Sequence, residues 1–123
     1  MLYAMLAYHV EAEVASWSQA ADDALMVKLN KVHDRLAAEG KLGPAARLAF
    51  KGKAATLRGP GAGVVIDGPF AETKEQLLGL YLLDVADHEA ALAIARELQQ
   101  LNPTAVYEIR PIEVFLPGAA IGG

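Results

Sequence analysis

One long, almost entirely apolar run constrains the fold of this chain more than any other feature. Residues 77–85 are LLGLYLLDV, so apolar side chains fall on both faces of the segment. A strand with this pattern is buried on both sides and lies in the middle of a sheet. We expect the chain's own helices to cover one side of it, and a second subunit is a candidate for the other.

Length and composition restrict the class of protein. The 123 residues predict a single domain, residues 1–123, and 54 % hydrophobic content supports a core. The chain contains no cysteine, which excludes disulfides and thiolate metal sites, and we expect a cytoplasmic location. A net charge of −4 disfavours direct nucleic-acid binding. The apolar start, residues 1–9, is too short to span a membrane, so no membrane association is predicted.

Two helices are predicted from caps and periodicity. Ser18 is a plausible N-cap for a helix that continues to about Glu39, where Gly40 supplies a left-handed stop. Asp87 caps a second helix that ends near Leu101. The apolar residues of both helices recur at helical spacing, which predicts one buried face each: Leu25, Leu29, Val32 and Leu36 in the first, and Ala91, Ile94, Ala95 and Leu98 in the second.

The remaining segments predict strands. Residues 2–8 and 105–112 are strand candidates, residues 42–50 follow the first helix, and residues 53–58 and 63–67 flank a turn-rich GPGA to form a β-hairpin. The order β-α-β, hairpin, β-α-β predicts an α+β, ferredoxin-like split βαβ sandwich with an inserted β-hairpin. Because the uncovered sheet face would expose leucine and tyrosine, we predict a homodimer that packs sheet against sheet.

Charged residues are concentrated in residues 67–76, between the hairpin and the central run. Asp67 and Glu72 are candidate catalytic residues, because repulsion between two carboxylates raises the pKa of one of them. The alternative is that Asp67 stabilises a turn and Glu72 is solvated. Lys74 is a candidate for binding an anionic substrate, or it pairs with Glu72 or Glu75.

Three further residues are candidates for the site. His9 follows the first strand, at a strand end where pockets open, and is the preferred acid–base residue; the alternative is a half-exposed histidine. Tyr81 on the central strand either hydrogen-bonds a ligand or packs in the core. Arg110 either clamps a carboxylate or pairs with Glu108 or Glu113 at the sheet edge.

The other histidines support no metal site. His33 and His88 are interpreted as surface residues on the two helices. Positions 9, 33 and 88 lack the HxH, HxxxH and HExxH spacings of metal-binding motifs. We therefore expect no metal and no cofactor.

Three motifs resemble one known family. The segments DGPFAETKEQL at 67–77, GLYLLD at 79–84 and EIRPI at 108–112 resemble the YCII-related, DGPF-domain family. The resemblance implies a dimeric α+β barrel of ferredoxin-like subunits. Its wider superfamily resembles lyases and isomerases that act on ring compounds, some through a proposed His-Asp pair, and DGPF members often sit near genes for extracytoplasmic-function sigma factors.

Two positions depart from the family pattern. Leu78 stands where a glycine is commonly expected, which narrows any pocket beside the strand, and Leu29 falls where the helix histidine of the YCII branch is expected. Two functions stay open. In one, residues 67–76, His9 and Tyr81 line a pocket between sheet and dimer partner that binds a small molecule for acid–base chemistry. In the other, the protein is a non-enzymatic module that binds a partner such as a sigma factor. Phe70 either contacts substrate or anchors its loop in the core.

Overall fold

The structure, a computed structural model, describes residues 1–121. Its elements follow the predicted order, with one short additional helix after the first strand. They are β1 (Leu2–Val10), α1 (Glu11–Ala15), α2 (Gln19–Ala38), β2 (Leu42–Arg47), a 3-10 turn (Lys51–Lys53), β3 (Ala55–Arg58), β4 (Val64–Asp67), β5 (Glu75–Asp84), α3 (His88–Leu101) and β6 (Val106–Pro111).

Four strands form one antiparallel sheet in the order β2-β5-β1-β6, and β3 pairs with β4 in a separate hairpin. The apolar run of residues 77–85 therefore lies at the centre, as predicted. Leu6 stands opposite Leu80 on β5 and Glu108 on β6, which fixes the register of the three strands. The register of β1 against β5 shifts after Ala7, where Leu78 is left without a partner. This is the α+β arrangement of helices and sheet that the element order predicted.

Both long helices begin where their caps were predicted. The Ser18 side chain accepts a hydrogen bond from the backbone N–H of Ala21 at 3.0 Å, and Asp87 accepts one from Ala90 at 2.9 Å. Gly40 has φ of +73°, the left-handed conformation that ends α2 without a steric penalty. These caps explain why the sequence located both helices accurately.

The helices cover one face of the sheet. All four residues predicted for the apolar face of α3 are buried, whereas α2 buries only Leu29 and Leu36. They pack against alternate residues of the central strands, of which Tyr3, Met5 and Leu83 are fully or almost fully buried. Leu6, Leu80 and Leu82 lie on the opposite face and are only half-buried. That second face, with exposed Leu77 and Val106 at one end, is called the bare face below.

The hairpin of β3 and β4 stands apart from the core. Leu57 is 67 % exposed and Val65 68 % exposed, although they are cross-strand neighbours in the ladder. Within residues 1–121, no helix has the length and apolar character needed to cross a bilayer.

Candidate functional site

A cavity of about 300 Å³ lies on the helix-covered side of the sheet, between α2 and strands β1, β2 and β5. The sequence analysis placed the pocket on the other side, against a dimer partner. The space exists because small residues lie beneath it: Ala7 on β1 is paired with Gly79 on β5. Gly79 is closely surrounded, since an added Cβ would lie 3.2 Å from the carbonyl oxygen of Ala46. Aromatic and polar side chains complete the wall: His9, Trp17, Asn30, His33, Tyr81 and Tyr107.

His33 is the residue of this wall that the sequence analysis missed. It was interpreted as a surface residue, which is wrong, because it is half-buried on α2 and follows buried Leu29 by one turn. The i,i+4 spacing from Leu29 is the signal that places it on the inward-facing stripe. Its ring lies 5.3 Å from that of Tyr81, and its buried Nε2 has no hydrogen-bond partner among the described residues.

Burial sets the protonation states on this wall. It lowers the pKa of the His33 imidazole below its ordinary 6.5, and neighbouring Asp34 only partly opposes the shift. Burial also raises the pKa of the Tyr81 hydroxyl. The pKa of Tyr107 is raised by burial and further by Tyr81. At neutral pH the cavity is therefore lined by a neutral imidazole and two protonated phenols.

His9 lies in the same wall but both of its ring nitrogens are engaged. It is the penultimate residue of β1 and is 4 % exposed, so it is buried rather than half-exposed. Its Nε2 lies 2.6 Å from the hydroxyl oxygen of Thr104, and its Nδ1 lies 3.4 Å from the carbonyl oxygen of Val10. Trp17 packs edge-on at 5.3 Å. A ring that donates from Nδ1 to the carbonyl oxygen and hydrogen-bonds the Thr104 hydroxyl through Nε2 satisfies both contacts.

One ion pair connects α2 to β2 beside the cavity. The guanidinium of Arg47, on β2, donates to both carboxylate oxygens of Asp22, on α2, at 3.1 and 3.2 Å. Both residues line the cavity. They are 25 positions apart, and no local pattern of the sequence predicted the contact.

Residues 67–76 do not line this cavity. Asp67 ends β4 and is exposed, and Lys74 is also exposed. Glu72 is exposed and pairs with Lys51 at 3.1 Å. Phe70 is 76 % exposed beneath the guanidinium of Arg58, so the interpretation of Phe70 as a core anchor is wrong. The structure thus separates these four candidates from His9 and Tyr81.

The loop is instead held by a buried glutamine. Gln76 is 6 % exposed, and its side-chain amide donates to the carbonyl oxygens of Ala71 at 3.1 Å and Thr73 at 2.7 Å. Gly68 is tied to the hairpin, because its backbone N–H donates to Ala54 at 2.8 Å. Beside the loop a second pocket of about 530 Å³ runs past Phe70 to Leu77 at the edge of the bare face. Hydrogen bonds from Gln76 and Gly68 therefore hold residues 67–76 in place against the hairpin.

Arg110 lies at the sheet edge and is exposed. Its guanidinium pairs with Glu108, whose carboxylate also accepts from the Tyr8 hydroxyl at 3.3 Å. This is the ion pair that the sequence analysis gave as the alternative to a carboxylate clamp. Arg110 is not among the residues that line the cavity.

The structure defines a small α+β protein with a four-stranded antiparallel sheet and an aromatic-lined cavity under its first long helix. The YCII-related domain model matches residues 1–116, and the chain belongs to that family. The family predicted from the three motifs is thereby confirmed. The chain is also 49 % identical over 120 residues to an uncharacterised protein of Rhizobium meliloti (strain 1021), a match that covers 96 % of this chain and 97 % of that protein. Since neither match names an activity, function has to be argued from the cavity.

Proposed function

We propose that this protein binds a small, largely apolar molecule in the cavity between α2 and the sheet, and that His33 and Tyr81 carry acid–base chemistry on it. The observation that supports the proposal most is the buried Nε2 of His33, which has no partner among residues 1–121. An unpaired polar atom in a protein interior costs free energy, so a ligand group that reached Nε2 would relieve that cost. The volume of about 300 Å³ is at the lower end of the range for ligand pockets, roughly 300–1,000 Å³.

The two side chains suit a proton transfer. The lowered pKa keeps the His33 imidazole neutral at neutral pH, the state in which it accepts a proton. Tyr81 stays protonated and can donate a hydrogen bond to an oxygen of the ligand. Their rings are 5.3 Å apart, so one small molecule can contact both. A lyase- or isomerase-like reaction that moves one proton is the chemistry this pair supports best.

The other candidate residues have different places in this proposal. His9 forms part of the cavity wall, and its contacts with Thr104 and Val10 position β1. Asp67, Glu72 and Lys74 lie outside the cavity and have no part in the proton transfer. Their catalytic and binding roles stay predictions from the sequence.

A ligand screen on three variants tests the proposal. A library of small ring compounds is screened by NMR against the wild type, and each hit is titrated into the variants. His33→Gln and Tyr81→Phe should each weaken binding by about 10- to 100-fold, since one unpaired buried polar group costs about 1–3 kcal/mol. His88→Gln is the matched control, because His88 is an exposed histidine on α3. Hits that bind folded His33→Gln as tightly as wild type would overturn the proposal.

The exposed apolar surface favours a second candidate function, a non-enzymatic module that binds another protein. Phe70 and the hairpin residue Leu57 are both at least two-thirds exposed. The partner to test is a purified extracytoplasmic-function sigma factor from the organism that encodes this chain. Analytical ultracentrifugation of the mixture would detect a complex. A complex that is lost in Leu57→Ser, while the ligand screen finds no hit, would favour this candidate over the first.

We also propose that the protein is a homodimer that packs bare face against bare face and closes a barrel. Leu6, Leu80 and Leu82 occupy the centre of that face and are only half-buried within one chain. Burial of apolar surface contributes roughly 25 cal/mol per Å², so a second copy would stabilise this face strongly. Because the cavity lies on the opposite side of the sheet, it is formed within one subunit.

A further inference from the structure

The ion pair beside the cavity carries information about the ligand. Among the described residues, Arg47 is the only lysine or arginine on the cavity wall. Its guanidinium holds the Asp22 carboxylate through two hydrogen bonds, at 3.1 and 3.2 Å. Planar guanidinium groups recognise carboxylates in this two-point geometry. The cavity wall thus already contains one carboxylate-binding group with a carboxylate in place.

Asp22 is suited to leave that position. It lies in the first turn of α2, and its backbone N–H donates to Ser18 at 3.0 Å. The positive end of the helix dipole stabilises a carboxylate in the first turn whether or not an arginine is present. Arg47 has no comparable second partner, because no other acidic residue forms an ion pair with it in the described part of the chain. A ligand carboxylate would therefore replace the two hydrogen bonds that Arg47 loses, and the helix dipole would still stabilise Asp22.

The carboxylate of this pair is more shielded than those of the other ion pairs. The Asp22 side chain is 23 % exposed, the lowest value for any carboxylate in the ion pairs of residues 1–121. The Arg47 side chain is 52 % exposed, so water and salt screen its guanidinium, and a carboxylate from solution can reach it. On the same helix Arg35 donates from one nitrogen, Nη2, to both carboxylate oxygens of Glu97, but neither of these residues lines the cavity.

We propose that the ligand of this cavity is a ring compound that carries one carboxylate, which binds Arg47 in place of Asp22. The ring packs among the aromatic side chains of the wall, and a polar group on it reaches Nε2 of His33. This inference rests on the proposed function, which places a ligand in the cavity, and adds the ligand's charge and orientation. The alternative is that the pair only fastens β2 to α2.

Three probes of similar size but different charge test this: benzoate, benzyl alcohol and benzylamine. Each is titrated into the protein at pH 7 in low salt, and binding is followed by NMR. Benzoate should bind about tenfold tighter than benzyl alcohol, because a charge-assisted hydrogen bond is roughly twice as strong as a neutral one. Benzylamine should bind more weakly than benzoate, because its ammonium can pair with Asp22 only by separating that carboxylate from Arg47, which gains no new partner.

Two variants should act in opposite directions. Asp22→Asn removes the competing carboxylate and should tighten benzoate binding about threefold or more, with little effect on benzyl alcohol. Arg47→Gln should abolish the preference for benzoate. If Arg47→Gln does not fold, Arg47→Lys keeps the positive charge but loses the two-point geometry of the guanidinium. It should reduce the preference for benzoate over benzyl alcohol. Arg35→Gln is the matched control and should change nothing.

The outcomes separate the inference from the proposal it rests on. Equal binding of benzoate and benzyl alcohol, or weaker benzoate binding in Asp22→Asn, would overturn the carboxylate ligand while leaving a ligand cavity intact. A preference for benzoate that survives in Arg47→Gln would do the same. If none of the three probes shifts the resonances of His33 or its neighbours, both the inference and the proposed function are contradicted.

Discussion

Two histidines on one cavity wall differ in their hydrogen bonding. His9 is almost completely buried, yet the hydroxyl of Thr104 and the carbonyl of Val10 occupy its two nitrogens. His33 is less buried, but its Nε2 has no partner among the described residues. A satisfied histidine serves to hold neighbouring segments together, whereas an unsatisfied one keeps its hydrogen-bonding capacity for a ligand. Burial alone would rank His9 above His33, whereas the free hydrogen-bonding capacity among the described residues lies with His33.

The lowered pKa of His33 predicts a specific loss of stability in acid. The folded protein binds a proton at His33 less readily than the unfolded chain, whose histidine titrates near 6.5. As the pH falls through 6.5 toward the lowered pKa, the unfolded state takes up more protons, so the free energy of unfolding decreases. Urea unfolding at pH 7.0, 6.0 and 5.0 should show this decrease in the wild type.

His33→Gln has no titrating group at this position, so its free energy of unfolding should fall less over the same range. His88→Gln serves as the control and should follow the wild type. Parallel pH profiles for wild type and His33→Gln would contradict the assigned cause.

Among the elements, those with local signals were predicted well. The caps Ser18 and Asp87 located both long helices, and the apolar run of residues 77–85 located the central strand. Two residues of the cavity, His9 and Tyr81, were predicted as pocket residues. Its side of the sheet and the rest of its wall were not, because the wall is assembled from α1, α2 and four strands that only the tertiary fold brings together. Asp22 and Arg47 illustrate this, since their contact depends on how β2 pairs with β5. The charged loop attracted attention because its density of ionisable groups is visible in the sequence.

The loop of residues 67–76 should behave as a structural element under mutation. Gln76→Leu removes the amide that serves the carbonyl oxygens of Ala71 and Thr73, so both lose a donor. We expect a decrease of about 1–3 kcal/mol in the free energy of unfolding, the cost of leaving buried polar groups unpaired. Urea denaturation measures it. Gln100→Leu, at an exposed position of α3, is the control and should change stability little.

If Gln76→Leu unfolds like the wild type, the hydrogen bonds of its side chain do not stabilise the loop. A large loss of benzoate binding in a stable Gln76→Leu variant would instead connect the loop to the cavity, contrary to the separation seen in the structure.

At the scale of the whole molecule, the two faces of the sheet differ: helices cover one face, and the bare face is only half-buried. Sedimentation should give a species of twice the 13.0 kDa of one chain if the bare faces meet. Leu77→Glu combined with Val106→Glu should produce monomers, because each charge would be buried without a partner in the dimer. Both positions are exposed within a single chain, so the monomer should stay folded.

Val27→Glu is the matched control, since Val27 is exposed on α2, on the other side of the molecule. It should leave the association unchanged. A wild-type protein that sediments as a single chain at micromolar concentration would contradict the dimer.

The pairing of Ala7 with Gly79 beneath the cavity has a consequence for how such a protein can evolve. The size of the cavity depends in part on small residues of the sheet, whereas the imidazole proposed to transfer a proton belongs to a helix. A substitution at Ala7 would change which molecules fit without replacing that imidazole. Substitutions in the sheet can therefore change the size of the cavity while the imidazole stays in place.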